Sequence, residues 1–173
     1  MFGKDGKFKT FPDNFYNDAN DFFTRAKKHN LKVILTMFSF ECVNTKKCKK
    51  MITDADNQQA YIDNGLKPLL KYITDNDFKD QVHAIEMFNE PEWMIVGGSG
   101  VNQKIFNDES KGLARVQEFT TKCNKEIQNA GFKATVGSAS LKWSCTTGHW
   151  CVGDWWANTN IDFRTVHYYS WMA

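Results

Sequence analysis

Four apolar runs of strand length, separated by stretches of helical spacing, constrain this chain most. They are "LKVILTMFSF" (Leu31–Phe40), "QVHAIEMFNE" (Gln81–Glu90), "FKATVGSAS" (Phe132–Ser140) and "IDFRTVHYYSW" (Ile161–Trp171). Near-continuous apolar strands alternating with helices read as a parallel sheet with helices packed against it. Doubly wound sheets and (β/α)₈ barrels both fit that order. The helical segments are Phe11–Asn30, with Asp13 as a plausible cap, a segment near Asn57–Thr74 in which Pro68 should kink or restart the helix, and one near Asp108–Ala130. "CVGDWWANT" (Cys151–Thr159) has room for one or two further turns. With 173 residues, 42% of them hydrophobic, the chain supports one domain with a real core.

In either fold, ligands meet the carboxyl ends of the strands. Those ends carry Phe40 and Glu41, then Asn89, Glu90 and Trp93, then Ser138, Ser140 and Trp143, and finally His167, Tyr169 and Trp171. All six tryptophans fall in the second half of the chain. Trp93, Trp143 and Trp171 are the best placed to stack on the apolar C–H faces of a sugar ring; Trp155 and Trp156 read as structural.

No glycine loop of the phosphate-cradling kind opens a helix, and the net charge is only +2, with no basic stripe. Nucleotide and nucleic-acid binding are therefore not indicated. The basic run "NTKKCKK" (Asn44–Lys50) reads as a solvated loop, and no run approaches the roughly 20 apolar residues of a membrane span.

The five cysteines lie as two local pairs, Cys42 with Cys48 and Cys145 with Cys151, plus Cys123 in a helical pattern. Two short disulfides and a buried thiol would suit an oxidising compartment; five reduced thiols are the alternative. The spacing does not suggest zinc, since there is no CxxC and His149 stands alone. His83, inside the second strand, reads as a satisfied core histidine.

"AIEMFNEPEW" (Ala84–Trp93) holds two carboxylates along one strand. Alternation puts Glu86, Phe88 and Glu90 on one face and Met87 and Asn89 on the other, with curvature and Pro91 turning Asn89 back toward the ligand end. A carboxyl group at a strand end among aromatics is suited to general acid work. At about 3.3 Å per residue, Glu86 lies about 13 Å from Glu90, too far for a retaining glycosidase pair. Glu86 reads instead as a buried support bonded to a neighbouring strand. Glu41 is geometrically possible as a second carboxylate.

This stretch resembles the fourth-strand signature of clan A glycoside hydrolases, above all family 5 with its endoglucanases and β-mannanases. "LKVILTMFSF" is similar to strand three, "ATVGSAS" to strand five, and "DFRTVHYYSW" to strand six with its His-x-Tyr. The resemblance implies a partial (β/α)₈ TIM barrel in a single domain, parallel strands with flanking helices, covering about strands three to six. It implies Glu90 as catalytic acid/base, Asn89 on the substrate 2-hydroxyl, and His167 and Tyr169 lining the sugar subsite and orienting the nucleophile. It also implies retaining hydrolysis of a β-linked glucan or mannan in a secreted protein, with no cofactor and no metal.

The family barrel has eight strands and usually about 250 residues or more. Its nucleophile, a glutamate closing strand seven, and a supporting arginine near the first strands have no counterpart here. The nucleophile is therefore expected outside this chain, on remaining barrel strands from the same or another polypeptide, and the chain alone should be nearly inactive. The alternative is a non-catalytic carbohydrate-binding or structural half-barrel within an assembly.

Overall fold

The computed structural model describes residues 1–141, 153–154 and 156–170. Strands β1 (Val33–Ser39), β2 (Val82–Asn89), β3 (Ala134–Ser138) and β4 (Thr165–Val166) form one parallel sheet in the order β1-β2-β3-β4. The sheet is open, as expected for part of a barrel. Between the strands lie α1 (Phe15–Lys28), α2 (Lys46–Thr53), α3 (Ala55–Tyr61), α4 (Lys67–Asp75), α5 (Glu92–Val96) and α6 (Glu109–Asn129). The fourth strand is shorter than its apolar run suggests: only Thr165–Val166 pairs with β3.

Three helices hand over to strands by one device. Each ends with a residue at positive φ, Asn30 after α1, Asp77 after α4 and Gly131 after α6. The residue that follows donates back five positions: Leu31 N–H to Ala26 C=O, Phe78 to Ile73 and Phe132 to Ile127, at 2.8, 3.0 and 3.1 Å. This is the paired-bond helix stop that left-handed residues permit, and each time the donor is a hydrophobic residue entering the next strand. At its other end α6 starts as expected, with the Asp108 carboxylate accepting from the Lys111 N–H. Helix α1 starts at Asn14 rather than Asp13, without a side-chain cap; the Asn14 amide bonds Asp18 instead.

Pro68 restarts the long helix after β1. It lacks the N–H that would bond back to Asn64, and the preceding turn, Ile62–Leu66, widens into a π turn before α4 begins. Gly65 sits in that turn because the N-terminal Phe8 ring packs there: a Cβ would lie 2.9 Å from Phe8 Cε1.

Three expectations are corrected. The basic run at Asn44–Lys50 is not a loop: Thr45 accepts from the Cys48 N–H and starts α2, which buries Met51 and Ile52. The disulfide between Cys42 and Cys48 is not formed; both are free thiols, Cys42 in a 3₁₀ turn and Cys48 in the first turn of α2, on either side of the Thr45 cap. His83 is exposed near the Phe163 ring, not a core residue. Cys123 is buried in α6 as a free thiol. Trp143, Trp171, Cys145, Cys151, His149 and Trp155 lie outside the described residues. No helix among the described residues is long and apolar enough to cross a membrane.

The core lies between the sheet and the helices. Phe38 of β1 and Phe88 of β2 meet Tyr61 of α3 and Phe119 of α6, with ring centroids 5.0–6.5 Å apart. Trp156 closes the far side, its indole N–H on the Val136 carbonyl. A polar layer faces the other way: Glu86 accepts from Thr36 of β1 at 2.9 Å and from Thr165 of β4 at 3.2 Å, so one carboxylate ties β2 to the two outer strands of the sheet.

Candidate active site

The ligand end of β2 is shaped by a register slip. Against β3, Glu86 pairs with Thr135 but Asn89 pairs with Gly137, three residues opposing two. Such a bulge reverses the pleat. Phe88 therefore packs among the helices, against Phe38 and Phe119, instead of sharing the face of Glu86 as strict alternation has it. Glu90 follows in the left-handed region, φ 52°, which costs a non-glycine residue about 1–2 kcal/mol. Its N–H donates to the Gly137 carbonyl at 2.9 Å, and its carbonyl accepts from Trp93 as Pro91 begins the turn into α5.

Bulge and left-handed turn together aim the Glu90 side chain at three polar groups. His167 Nδ1 lies 2.6 Å from Oε1, the Tyr169 hydroxyl donates to the same oxygen, and Trp93 Nε1 donates to Oε2 at 3.0 Å. Glu90 is 5% exposed. Tyr169 and Trp93 donate, and His167 donates when Nδ1 carries its proton, so the carboxyl group is fixed in one orientation from both oxygens. The hydrogen bond to Glu90, then burial and the Glu90 charge, push the Tyr169 phenol up to about 12. In the Glu90→Gln variant that phenol should return toward the ordinary value near 10, read as the difference between the phenolate absorbance titrations of the two proteins. An unchanged titration would mean that the two groups do not meet in solution.

The residues singled out in sequence thus separate into groups. Glu90, His167, Tyr169 and Trp93 converge. Asn89 is half-buried beside them, level with Ser39 on β1 and Gly137 on β3. Glu86 sits one layer below, on Thr36 and Thr165. His167 and Tyr169, expected to orient a nucleophile, both engage Glu90 itself. Trp93, expected as a sugar platform, bonds Glu90 through its indole and packs beside the loop that holds Gly97, Gly98 and Gly100, where a side chain at Gly98 would lie 3.6 Å from its ring.

Two residues escaped sequence reasoning. Gly137 is hemmed in: a Cβ there would lie 2.8 Å from Glu86 Oε2 and 3.3 Å from His167 Nε2. Glu92 is buried, and burial pushes its carboxyl up to about 7. The available signal was an acid at the head of the otherwise apolar α5 segment "EWMIV".

Compared by sequence, the chain matches no family profile and no curated protein. Solved structures do resemble it. A β-1,4-D-mannanase from Cryptopygus antarcticus matches at TM-score 0.74 and 22% identity, over 98% of this chain and 52% of its own. An endo-1,4-β-mannanase from Eisenia fetida matches at 0.76 and 20%, over 99% and 53%. A β-mannanase from the blue mussel Mytilus edulis matches at 0.70 and 18%, over 99% and 55%. This chain therefore spans about half the length of each. Parallel sheet, flanking helices and shared coverage make its architecture that of roughly half a mannanase-type (β/α)₈ barrel.

Proposed function

We propose that this chain is the acid/base half of a glycoside hydrolase that cleaves β-linked mannan by the retaining, family-5-like route. The observation that carries the reading is Glu90, at the ligand end of a mannanase-like sheet, with its carboxylate held by His167, Tyr169 and Trp93. Glu90 protonates the departing glycosidic oxygen and then activates water. Asn89 binds the substrate 2-hydroxyl. The nucleophile stands on barrel strands outside this sequence, about 5–5.5 Å from Glu90. A second carboxylate at that distance makes one of the pair retain a proton, which an acid catalyst needs. Tyr169 is then shared between the two.

The open edge beside β1 suits such completion. Phe15, Ala19 and Phe22 of α1, with Leu35 and Met37 of β1, line an apolar trough there, and Phe22 and Ile34 are exposed. Secretion fits the polysaccharide substrate.

The test is an assay of the 173-residue chain on β-mannan and carboxymethylcellulose, with binding of mannohexaose followed by calorimetry. We expect binding that weakens in His167→Ala, with turnover near background. Robust turnover that survives Glu90→Gln would overturn both the role of Glu90 and the missing nucleophile. Binding without turnover in a form with all eight strands would favour the non-catalytic, carbohydrate-binding reading.

A further inference from the structure

A second carboxylate lies behind Glu90 and has no part in the reading above. Glu92 opens α5 and is 0% exposed. Its partners are neutral: Oε1 meets the Ser138 hydroxyl at the end of β3, and Oε2 faces the Ala139 N–H at 3.5 Å. The charge that acts on it, Glu90, has the same sign. Among the described residues of the neighbouring elements, charges are engaged elsewhere: Glu41 accepts from Ser39, Lys104 pairs with Glu109 at 2.6 Å and Arg115 with Glu118 at 3.4 Å.

The protons around Ser138 do not balance if Glu92 is ionised. The Ser138 hydroxyl has one hydrogen, yet its oxygen contacts both the Glu92 carboxyl and the Ser140 carbonyl, the latter at 3.1 Å. A carbonyl and a carboxylate can only accept, so one contact would lack a proton. A proton on Glu92 resolves this: the carboxylic acid donates to Ser138, and Ser138 donates to Ser140.

We propose that Glu92 is a neutral carboxylic acid and a positioning residue for Glu90, joined through Ser138 to the Ser140 carbonyl so that α5 and the end of β3 are locked together. Glu90 is suspended between those two elements, its N–H on Gly137 and its carbonyl on Trp93. The neutral state also keeps a second buried negative charge away from Glu90. Burial without a countercharge, which pushes the Glu92 carboxyl up to about 7, agrees with this. The inference holds whether or not the protein is a glycosidase.

The folded chain then holds the Glu92 proton more tightly than the unfolded chain does. The stability this contributes is complete below the ordinary carboxylate range and is lost as pH rises to about 7. Denaturant unfolding of the 173-residue chain and of Glu92→Gln, from pH 5 to 8, provides the test. Glutamine keeps a donor and cannot ionise. The unfolding constant of the wild type relative to the variant should rise by about two orders of magnitude across that range. Carboxyl carbon-13 spectra, with the Glu92 signal identified by its loss in Glu92→Gln, should show a midpoint near 7. In the same spectra at pH 5 the Glu90 carboxyl signal, identified by its loss in Glu90→Gln, should keep its position in Glu92→Gln and move in Ser138→Ala. A Glu92 midpoint in the ordinary range, or parallel pH–stability curves for wild type and Glu92→Gln, would overturn the proposal.

Discussion

Glu90→Gln, in a form of the protein with all its barrel strands, should lower hydrolysis of β-mannan by about 10²- to 10⁴-fold, the usual contribution of a positioned acid. The substitution is nearly isosteric, and the glutamine carbonyl can still accept from His167 and Tyr169. Its NH₂ then faces the Trp93 indole N–H, donor against donor, so the ring should loosen while the fold holds. The decisive comparison uses two substrates. A mannan needs its leaving oxygen protonated; an aryl β-mannoside with an acidic phenol does not. The first should lose rate far more than the second in its bond-breaking step. Equal losses on both would remove Glu90 from the acid role.

The second large effect lies in the core. Phe119 of α6 is fully buried and touches Phe38, Tyr61 and Phe88, so it links two strands and two helices. Phe119→Ala should cost about 3–5 kcal/mol, because packed neighbours collapse only partly into the space left. For a chain of this size the unfolding midpoint should fall by roughly 6–20 °C. Thermal unfolding followed by circular dichroism measures it, with Phe22→Ala as the control. Phe22 is 46% exposed and its loss should be nearly neutral. Comparable losses at both positions would mean that this aromatic cluster is not the centre of the fold.

Much of this arrangement was legible in the residues. The four apolar runs became four parallel strands, because a short continuous apolar run between helical segments is the signal of a strand buried in a parallel sheet. The helix following β1 does restart at Pro68, because a missing donor acts locally wherever the chain goes. What could not be read depends on pairing between distant segments. The slip between Glu86 and Asn89 exists only against β3, so inspection of β2 alone put Phe88 on the wrong face. Likewise the Trp93 indole N–H reaches Glu90 only because the turn at Pro91 carries it back there, which its own residue type does not announce. Glu92 escaped notice because its burial involves β3, whose Ser138 lies 46 residues later in the chain. Four lysines in seven residues concealed α2, because charge density outweighed the threonine cap and the buried Met51 and Ile52.

The left-handed backbone at Glu90 has a consequence for how such a protein can change. Glycine takes that conformation without penalty, while glutamate gives up about 1–2 kcal/mol to occupy it. Drift toward a sturdier chain would therefore favour losing the very side chain that gathers His167, Tyr169 and Trp93. A single change to glycine would thus remove at once the backbone strain and the carboxylate on which those three side chains converge.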